Sequence, residues 1–382
     1  MVPEVERPGT PATRVLVTGL TSNPGGVETV VVEFVRHLQG RLQFDFWVNG
    51  DSMAFEHEMR SLGCRVFHAA RYSRQPLTAH HQLGAFLRKQ AGRYDVLWSN
   101  KSMCANIDDL LSAERAGVAR RIIHAHNSRD MFPGLMGRVK AVQHRRNRAR
   151  LGAVATNFWA CSPGAAEYFF TKPQRGSARF RLIRNAIDPA RFQFDAMARA
   201  RLRAELALTD ASLVVGFVGR LQYQKFPERA VRVFREFRRS HPSAVLVMIG
   251  DGDLRSECEA EAAGLEGSVR FLGVRHDIAA WYSACDVLIM PSRFEGLPLV
   301  PVEAQAASLP VVASDGVPRD AAFTDLMTFV PNGATAGTWS DALEVAVNSV
   351  TTRGSMAAAV SDGGYDIGIE SVRVGRLLGG AG

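Results

Sequence analysis

Hydrophobic positions along this chain fall into two alternating rhythms. The first is a series of short, nearly continuous aliphatic runs: RVLVTGL (14–20), FDFWVNG, CRVFHAA, YDVLWSN and RRIIHAH. Runs of this length, closed by Gly, Asn or a polar residue, predict strands buried on both faces. Between them stand longer segments with apolar residues at helical spacing, such as GVETVVVEFVRHLQG, which closes on Gly40. FWACSPGAAEYFF predicts a strand running into a helix, with Ser162 as N-cap and Pro163 at the first helical position. Strand–helix alternation predicts a parallel sheet with helices on both faces.

The rhythm restarts after RLIRNAIDPARF. A charged helical stretch at 198–206 leads into LVVGFVGRL, and AVLVMIG, VRFLG, DVLIMP and LPVVAS follow as strands. The helix ERAVRVFREFRRS between them carries an apolar stripe through Val231, Phe234 and Phe237. The pattern predicts an α/β protein of two tandem doubly wound, Rossmann-like domains, 14–190 and 191–350. A disordered leader (1–13) precedes them, and a weakly patterned tail (351–382) follows, its glycine-rich end expected to fray. Open parallel sheets bind ligands beyond the carboxyl ends of their strands, so a cleft between the two domains is the expected binding place.

Composition removes several classes. No apolar run approaches the ~20 residues of a membrane span, and the first residues, with acidic side chains and no apolar core, are not expected to act as a secretory signal. Five cysteines, odd in number and without a CxxC pair, support neither a disulfide framework nor a zinc site, and a reducing cytoplasm is the expected compartment. The net charge of +8 points to an anionic partner: nucleic acid, a membrane surface or a phosphorylated substrate.

Five short stretches carry candidate chemistry. FEGLPLVPVEAQ (294–305) brackets an apolar turn with Glu295 and Glu303. A helix is expected to begin near Pro301, with Glu303 in its first turn and the amides of Leu299, Val300 and Val302 near its N-terminus. Such amides and the helix dipole favour an anion, which two bare carboxylates would repel. Diphosphate on the amides, with one carboxylate on a sugar and the other on a ribose, reconciles the two. The plainer reading is a dipole-complementing Glu303 and a solvated Glu295. In VGFVGRLQYQK a strand ends at Gly219, and Arg220 and Lys225 follow, placed to neutralise a leaving diphosphate or simply exposed. NPGGVET opens a helix where phosphate or sugar would meet backbone, around Gly25 and Gly26. It is not GxGxxG, which disfavours a nicotinamide cofactor. HAHNS puts His124 and His126 on one side of a strand, either as structural histidines or with His126 able to reach a substrate hydroxyl, while a metal there would lack a Glu or Cys at ligand spacing. GDGDL is expected to be a turn with Asp253 capping a helix, the alternative being a metal site at Asp251 and Asp253.

Taken in order, these pieces resemble the retaining glycosyltransferases of the GT-B fold, family four, the group with exopolysaccharide and capsule enzymes. The likeness covers nearly all of the chain after the leader. Its most specific part runs from VGFVGRLQYQK to LPVVASD and includes the Glu, seven residues, Glu signature as Glu295 and Glu303. NPGGVE, HAHNS, ACSPGA, NAIDPARF and the late GYDI match as well. The resemblance implies that Arg220 and Lys225 hold the donor diphosphate, Glu303 the donor ribose and Glu295 the transferred sugar. It implies Gly25 and Gly26 against the donor, His126 near the reacting centre and the backbone around Val274 against the base. It further implies metal-independent hexosyl transfer with retention, no cofactor beyond a UDP- or GDP-linked donor, and a glycan or polyprenyl-diphosphate-linked acceptor. Three departures stand out: Ser308 where EAQAAGLP would be usual, WSN (98–100) where a histidine-containing strand end would be, and a C-terminus without an aromatic ending, so that the last helix is expected to dock poorly.

Three other readings are weaker. A non-catalytic glycan-binding module would keep the fold and lose key residues, yet Glu295, Glu303, Arg220 and Lys225 are all present. A GT-B-shaped nucleotide-sugar epimerase would need a further acid pair for elimination. A nucleic-acid binder would interleave aromatics with its bases, and GRVKAVQHRRNRARLG has none. The acid-free stretch 131–150, with Arg138, Lys140, Arg145, Arg146, Arg148 and Arg150, is either a solvated helix face or a patch for an anionic membrane surface at the inner face of the cell membrane.

Overall fold

The aliphatic runs become the strands of two wholly parallel sheets. The structure, a computed structural model, describes residues 13–130, 134–209, 212–350 and 352–380, so residues 1–12 of the expected leader lie outside it. The first sheet is built from β1 (Arg14–Thr18), β2 (Gln43–Asn49), β3 (Arg65–Ala69), β4 (Val96–Lys101), β5 (Arg120–Ala125), β6 (Asn157–Ala160) and β7 (Phe180–Leu182). Its strand order is β3-β2-β1-β4-β5-β6-β7. The second comprises β8 (Val214–Val218), β9 (Val245–Ile249), β10 (Val269–Gly273), β11 (Val287–Met290), β12 (Val311–Ser314) and β13 (Met327–Val330), in the order β10-β9-β8-β11-β12-β13.

Both orders reverse direction once, between β1 and β4 and between β8 and β11. The helices leaving β1 and β4, or β8 and β11, depart to opposite faces there and leave a crevice at the strand ends. The loops after these four strands therefore outline the site. β7 and β13 were not anticipated. Each is a short edge strand, and FRL and MTFV are too brief to show a period of two.

The helices bury the expected faces. In Pro227–Ser240, Val231, Phe234 and Phe237 are buried. Ser162 caps Pro163–Phe169, its hydroxyl accepting from the Ala165 amide at 3.2 Å.

The tail corrects its expectation. Residues 357–379 form two helices, Ala357–Asp362 and Ile367–Gly379, and the second packs on the first helix of the chain, Gly26–Leu38, with Val374 and Leu378 buried. Gly375 permits the approach: a Cβ there would stand 2.7 Å from Leu38 Cδ2. Aliphatic packing replaces the missing aromatic ending. The chain thus passes from the first sheet to the second and returns. The two crossings meet at Ile187, whose amide donates to the Tyr365 carbonyl at 2.8 Å and whose carbonyl accepts from the Ile367 amide at 2.9 Å.

Candidate donor-binding cleft

The four switch-point loops enclose a cavity of about 420 Å³ between the sheets. Ten of the residues singled out by the sequence line it, Gly25, Gly26, His126, Arg220, Lys225, Val274, Glu295, Leu299, Val300 and Glu303, whereas Val302, His124, Asp251 and Asp253 do not.

The loop after β11 forms one wall. The helix begins at Leu299 rather than near Pro301, with Pro298 as N-cap. Proline at the N-cap has fixed φ and no N–H to satisfy, so the turn starts two residues early and Glu303 sits in the second turn, not the first. Of the first helical residues Pro301 also lacks an N–H, which leaves Leu299 and Val300 as the free amide donors. Val302, one residue further, belongs to the internal ladder. The Glu303 carboxylate accepts from Tyr282 Oη at 2.7 Å, and burial pushes its pKa up to about 7.

Glu295 is almost fully buried and both of its oxygens are engaged. Lys225 Nζ donates to one at 2.8 Å and Gln224 Nε2 to the other at 3.2 Å. The loops after β8 and β11 are thereby tied together, and Arg293 adds to the tie. Its amide donates to the Gln224 carbonyl at 2.8 Å, its Nε to the Tyr223 carbonyl at 3.1 Å, and its guanidinium lies 3.4 Å from the Phe226 ring centre. Phe226 has φ +51°, a left-handed conformation costly for a bulky residue, and stacking helps hold it. Arg220 is exposed, its Nη2 only 3.7 Å from where a Cβ on Gly25 would stand, so it faces the loop after β1 across the cleft.

From the first domain, Gly25 is the N-cap of Gly26–Leu38, and a Cβ on Gly26 would meet nothing within 4 Å. Glu28 accepts from the Thr21 amide and hydroxyl at 3.0 and 2.8 Å and so shapes this loop. His126 follows β5 and is buried; burial lowers its pKa to about 3, which keeps the imidazole neutral. Asn100 Nδ2 donates to the Thr18 and Trp98 carbonyls, which turns Asn100 Oδ1 toward His126 Nε2 at 2.9 Å. The proton therefore sits on Nε2, and Nδ1 is a buried lone pair without a partner. Trp98 Nε1 in turn donates to His124 Nδ1 at 3.4 Å. The departure at WSN thus supplies one partner to each histidine, a role the sequence reading left undefined.

The two domains touch through the same loops. Ser128 Oγ donates to the Glu295 carbonyl, Ser162 Oγ to the Gly296 carbonyl and Asn185 Nδ2 to the Leu297 carbonyl, at 2.5, 2.9 and 2.5 Å. Gly296 is required by this docking, because a Cβ there would lie 2.1 Å from the His126 carbonyl oxygen. Asn100, Gln224, Tyr282, Asn185 and Arg293 all escaped the sequence reading. Their partners lie 21 or more residues away, and no local spacing signals such contacts.

GDGDL also needs correcting. Leu254, not Asp253, is the N-cap of Arg255–Glu261, and no side chain caps it. Asp251 Oδ1 instead accepts from the Gly252 amide at 2.8 Å, closing a tight turn. Among the described residues no three His, Cys, Asp or Glu side chains converge as metal ligands would.

The family described as Glycosyltransferase Family 4 matches residues 24–191, and that described as Glycosyl transferases group 1 matches residues 198–353. The putative glycosyltransferase EpsF of Bacillus subtilis (strain 168) is 30% identical over 302 residues, 77% of each chain. The chain belongs to the family-four glycosyltransferases. The crystal structure of Anabaena Alr3699/HepE in complex with UDP and glucose superposes with a TM-score of 0.77 at 19% identity, covering 96% of this chain and 99% of that one. That likeness establishes the GT-B fold of this glycosyltransferase. A Vi polysaccharide biosynthesis protein of Salmonella typhi, VipC/TviE, is 36% identical over 107 residues, 28% of this chain and 18% of that protein.

Proposed function

We propose that this glycosyltransferase moves a hexosyl group from a UDP- or GDP-linked donor to a hydroxyl of a glycan or polyprenyl-diphosphate-linked acceptor, in the cytoplasm, during synthesis of a cell-surface polysaccharide. The observation that carries the reading is the convergence of two free helix-end amides, an exposed arginine, a lysine–glutamate pair and a half-buried glutamate in one cavity at two sheet switch points. The amides of Leu299 and Val300 and the guanidinium of Arg220 receive the diphosphate, and Lys225 adds its charge as the leaving group departs. Glu303 accepts from ribose hydroxyls, Glu295 from hydroxyls of the transferred sugar, and the backbone at Val274 borders the base. Gly25 and Gly26 close the cavity from the first domain.

We read the transfer as retaining, a reading that the family resemblance suggests and that the hold on Glu295 is compatible with. With both oxygens engaged by Lys225 and Gln224, it is held to position a sugar rather than to attack one, and we propose that the acceptor enters on the face the nucleotide leaves. His126, neutral and fixed by Asn100, contributes a dipole beside that face and no proton. Arginine, lysine and helix amides supply the neutralisation that a divalent ion gives elsewhere, so we propose that transfer needs no metal. UDP in the HepE complex and the polysaccharide role of the VipC/TviE relative favour the UDP-linked, surface-glycan form of the reading.

The test is a panel of nucleotide sugars, read as released nucleoside diphosphate with and without membrane-extracted acceptor, and repeated in EDTA. Release from one donor, undiminished by chelation, is expected. Absence of both turnover and nucleotide-sugar binding across the panel would overturn the reading.

A further inference from the structure

The helix Gly134–Val154 follows the His126 loop and carries no acidic residue over its 21 positions. Its inner face is ordinary: Gly137, Ala141, His144 and Leu151 are buried against the first domain. Its outer face is not. Leu135 is 75% exposed, Met136 68%, and Val139 and Val142 45% each. At about 100° per residue, Leu135, Val139 and Val142 fall on one line directly opposite the buried side. Arg138 and Arg145 rise on one flank of this stripe, Arg146 continues it, and Arg150 stands on the other flank. All four are exposed and form no ion pair among the described residues. The run expected to face anions is corrected at one position: Arg148 turns inward, its Nη2 donating to the Glu167 and Phe170 carbonyls at 2.8 and 2.6 Å.

A solvated helix face has no reason to expose three aliphatic side chains in register. We propose that this face lies on an anionic bilayer surface, with Leu135, Val139 and Val142 entering the acyl boundary, Met136 beside them at the helix end, and Arg138, Arg145, Arg146 and Arg150 on the lipid phosphates. Aliphatics flanked by bases and free of acids match the layered chemistry of a bilayer interface, apolar below and phosphate above. A nucleic acid would be served by aromatic side chains, of which the helix has none. Arg146 and Arg150 also border a shallow groove with Ala105, Gln143 and Asn147, a seat for one headgroup phosphate. No helix among the described residues is long and apolar enough to cross a membrane, so attachment through this face is shallow and reversible. Gly134 lies eight residues beyond His126, a reach of at most about 28 Å. A lipid-linked acceptor in the same leaflet surface is then within range of the cleft. This deepens the acceptor reading above, but its evidence is the helix surface alone.

The test is cosedimentation with vesicles of phosphatidylcholine, alone or mixed with phosphatidylglycerol, at rising salt. Wild type is expected to bind the mixed vesicles and not the neutral ones. R138Q/R145Q/R146Q/R150Q is expected to lower the partition coefficient at least a hundredfold, at about fivefold per basic residue. L135S/V139S/V142S is expected to lower the partition coefficient on the mixed vesicles while keeping its salt dependence. UDP and GDP binding by calorimetry, measured on each protein, shows that the variants are folded and reads the donor site separately. Failure to bind either UDP or GDP with vesicle binding intact would count against the proposed function and leave this surface standing. Equal partitioning of wild type and both variants, no binding to either vesicle, or preferential capture by nucleic acid would overturn the proposal.

Discussion

Replacing Glu303 with Gln isolates what burial costs this carboxyl and shows what it is for. Burial raises its pKa from 4.5 to about 7. At about 1.36 kcal/mol for each tenfold change in proton affinity, the difference is about 3 kcal/mol, an upper figure because Glu303 keeps some contact with cleft solvent. Below pH 4.5 the group is protonated in the folded and unfolded chains alike and contributes no penalty. Between 4.5 and about 7 the folded protein holds a proton the unfolded chain has lost, so stability falls as pH rises; above about 7 the full penalty is present. Gln carries none of this and can still accept from Tyr282. The stability of Glu303→Gln relative to wild type, from urea unfolding, is expected to rise from near zero at pH 4 to at most about 3 kcal/mol at pH 8. Ribose hydroxyls donating to Glu303 favour its charged form. Binding of UDP-glucose, whose diphosphate has no group titrating near neutrality, should therefore expel up to about half a proton at pH 7. Calorimetry in two buffers of different ionisation enthalpy measures this. No proton release by wild type, or equal release by Glu303→Gln, would refute the assignment of Glu303 to the ribose.

Arg220→Ala and Lys225→Ala should each weaken nucleoside diphosphate binding by about 1.5–3 kcal/mol, read by calorimetry; wild-type affinity in both would remove them from the diphosphate site. Glu295→Gln should lower turnover at least a hundredfold while nucleotide affinity stays within about threefold, because its contacts are with the sugar; a matching loss of nucleotide affinity would refute that division. Arg293→Ala should reduce both turnover and nucleotide affinity through a loosened Lys225–Glu295 tie, and Arg293→Lys, which cannot stack or fork alike, should not restore them. Ser308 has φ +53° at the end of the donor-site helix, so Ser308→Gly should raise resistance to urea by about 0.5–1 kcal/mol without altering turnover.

The sheets were legible because their strands are buried on both faces and read as unbroken aliphatic runs. The site was legible for a related reason: a doubly wound sheet sends its functional residues to loops just after strands, and Arg220, Glu295 and His126 follow visible strand ends. What stayed hidden is made by tertiary contact. Tyr282 meets Glu303 and Asn100 meets His126 through space, and WSN is ambiguous until its neighbour strand is known. The firm docking of the C-terminal helix was missed because Gly375, which weakens a helical pattern, is what lets it dock on Leu38. The stripe on Gly134–Val154 was hidden because apolar residues on opposite faces cancel any one-sided periodicity.

The double crossing at Ile187 and Asp366 has a mechanical consequence. A single linker between two bodies acts as a ball joint, free to twist and swing. Two chain segments bonded side by side act as a door hinge, which can bend about one axis and resists rotation about the others. If the cleft opened to admit a donor, such a hinge would carry its two rims along one fixed arc and return Gly296 to the same carbonyl of His126. A cut after residue 350 would convert hinge to ball joint. It would also uncover the side of the first helix around Leu38, so the last helix, Ile367–Gly379, belongs to the folding unit of the amino-terminal domain, while Arg353 and Ala357–Asp362 pack on the second.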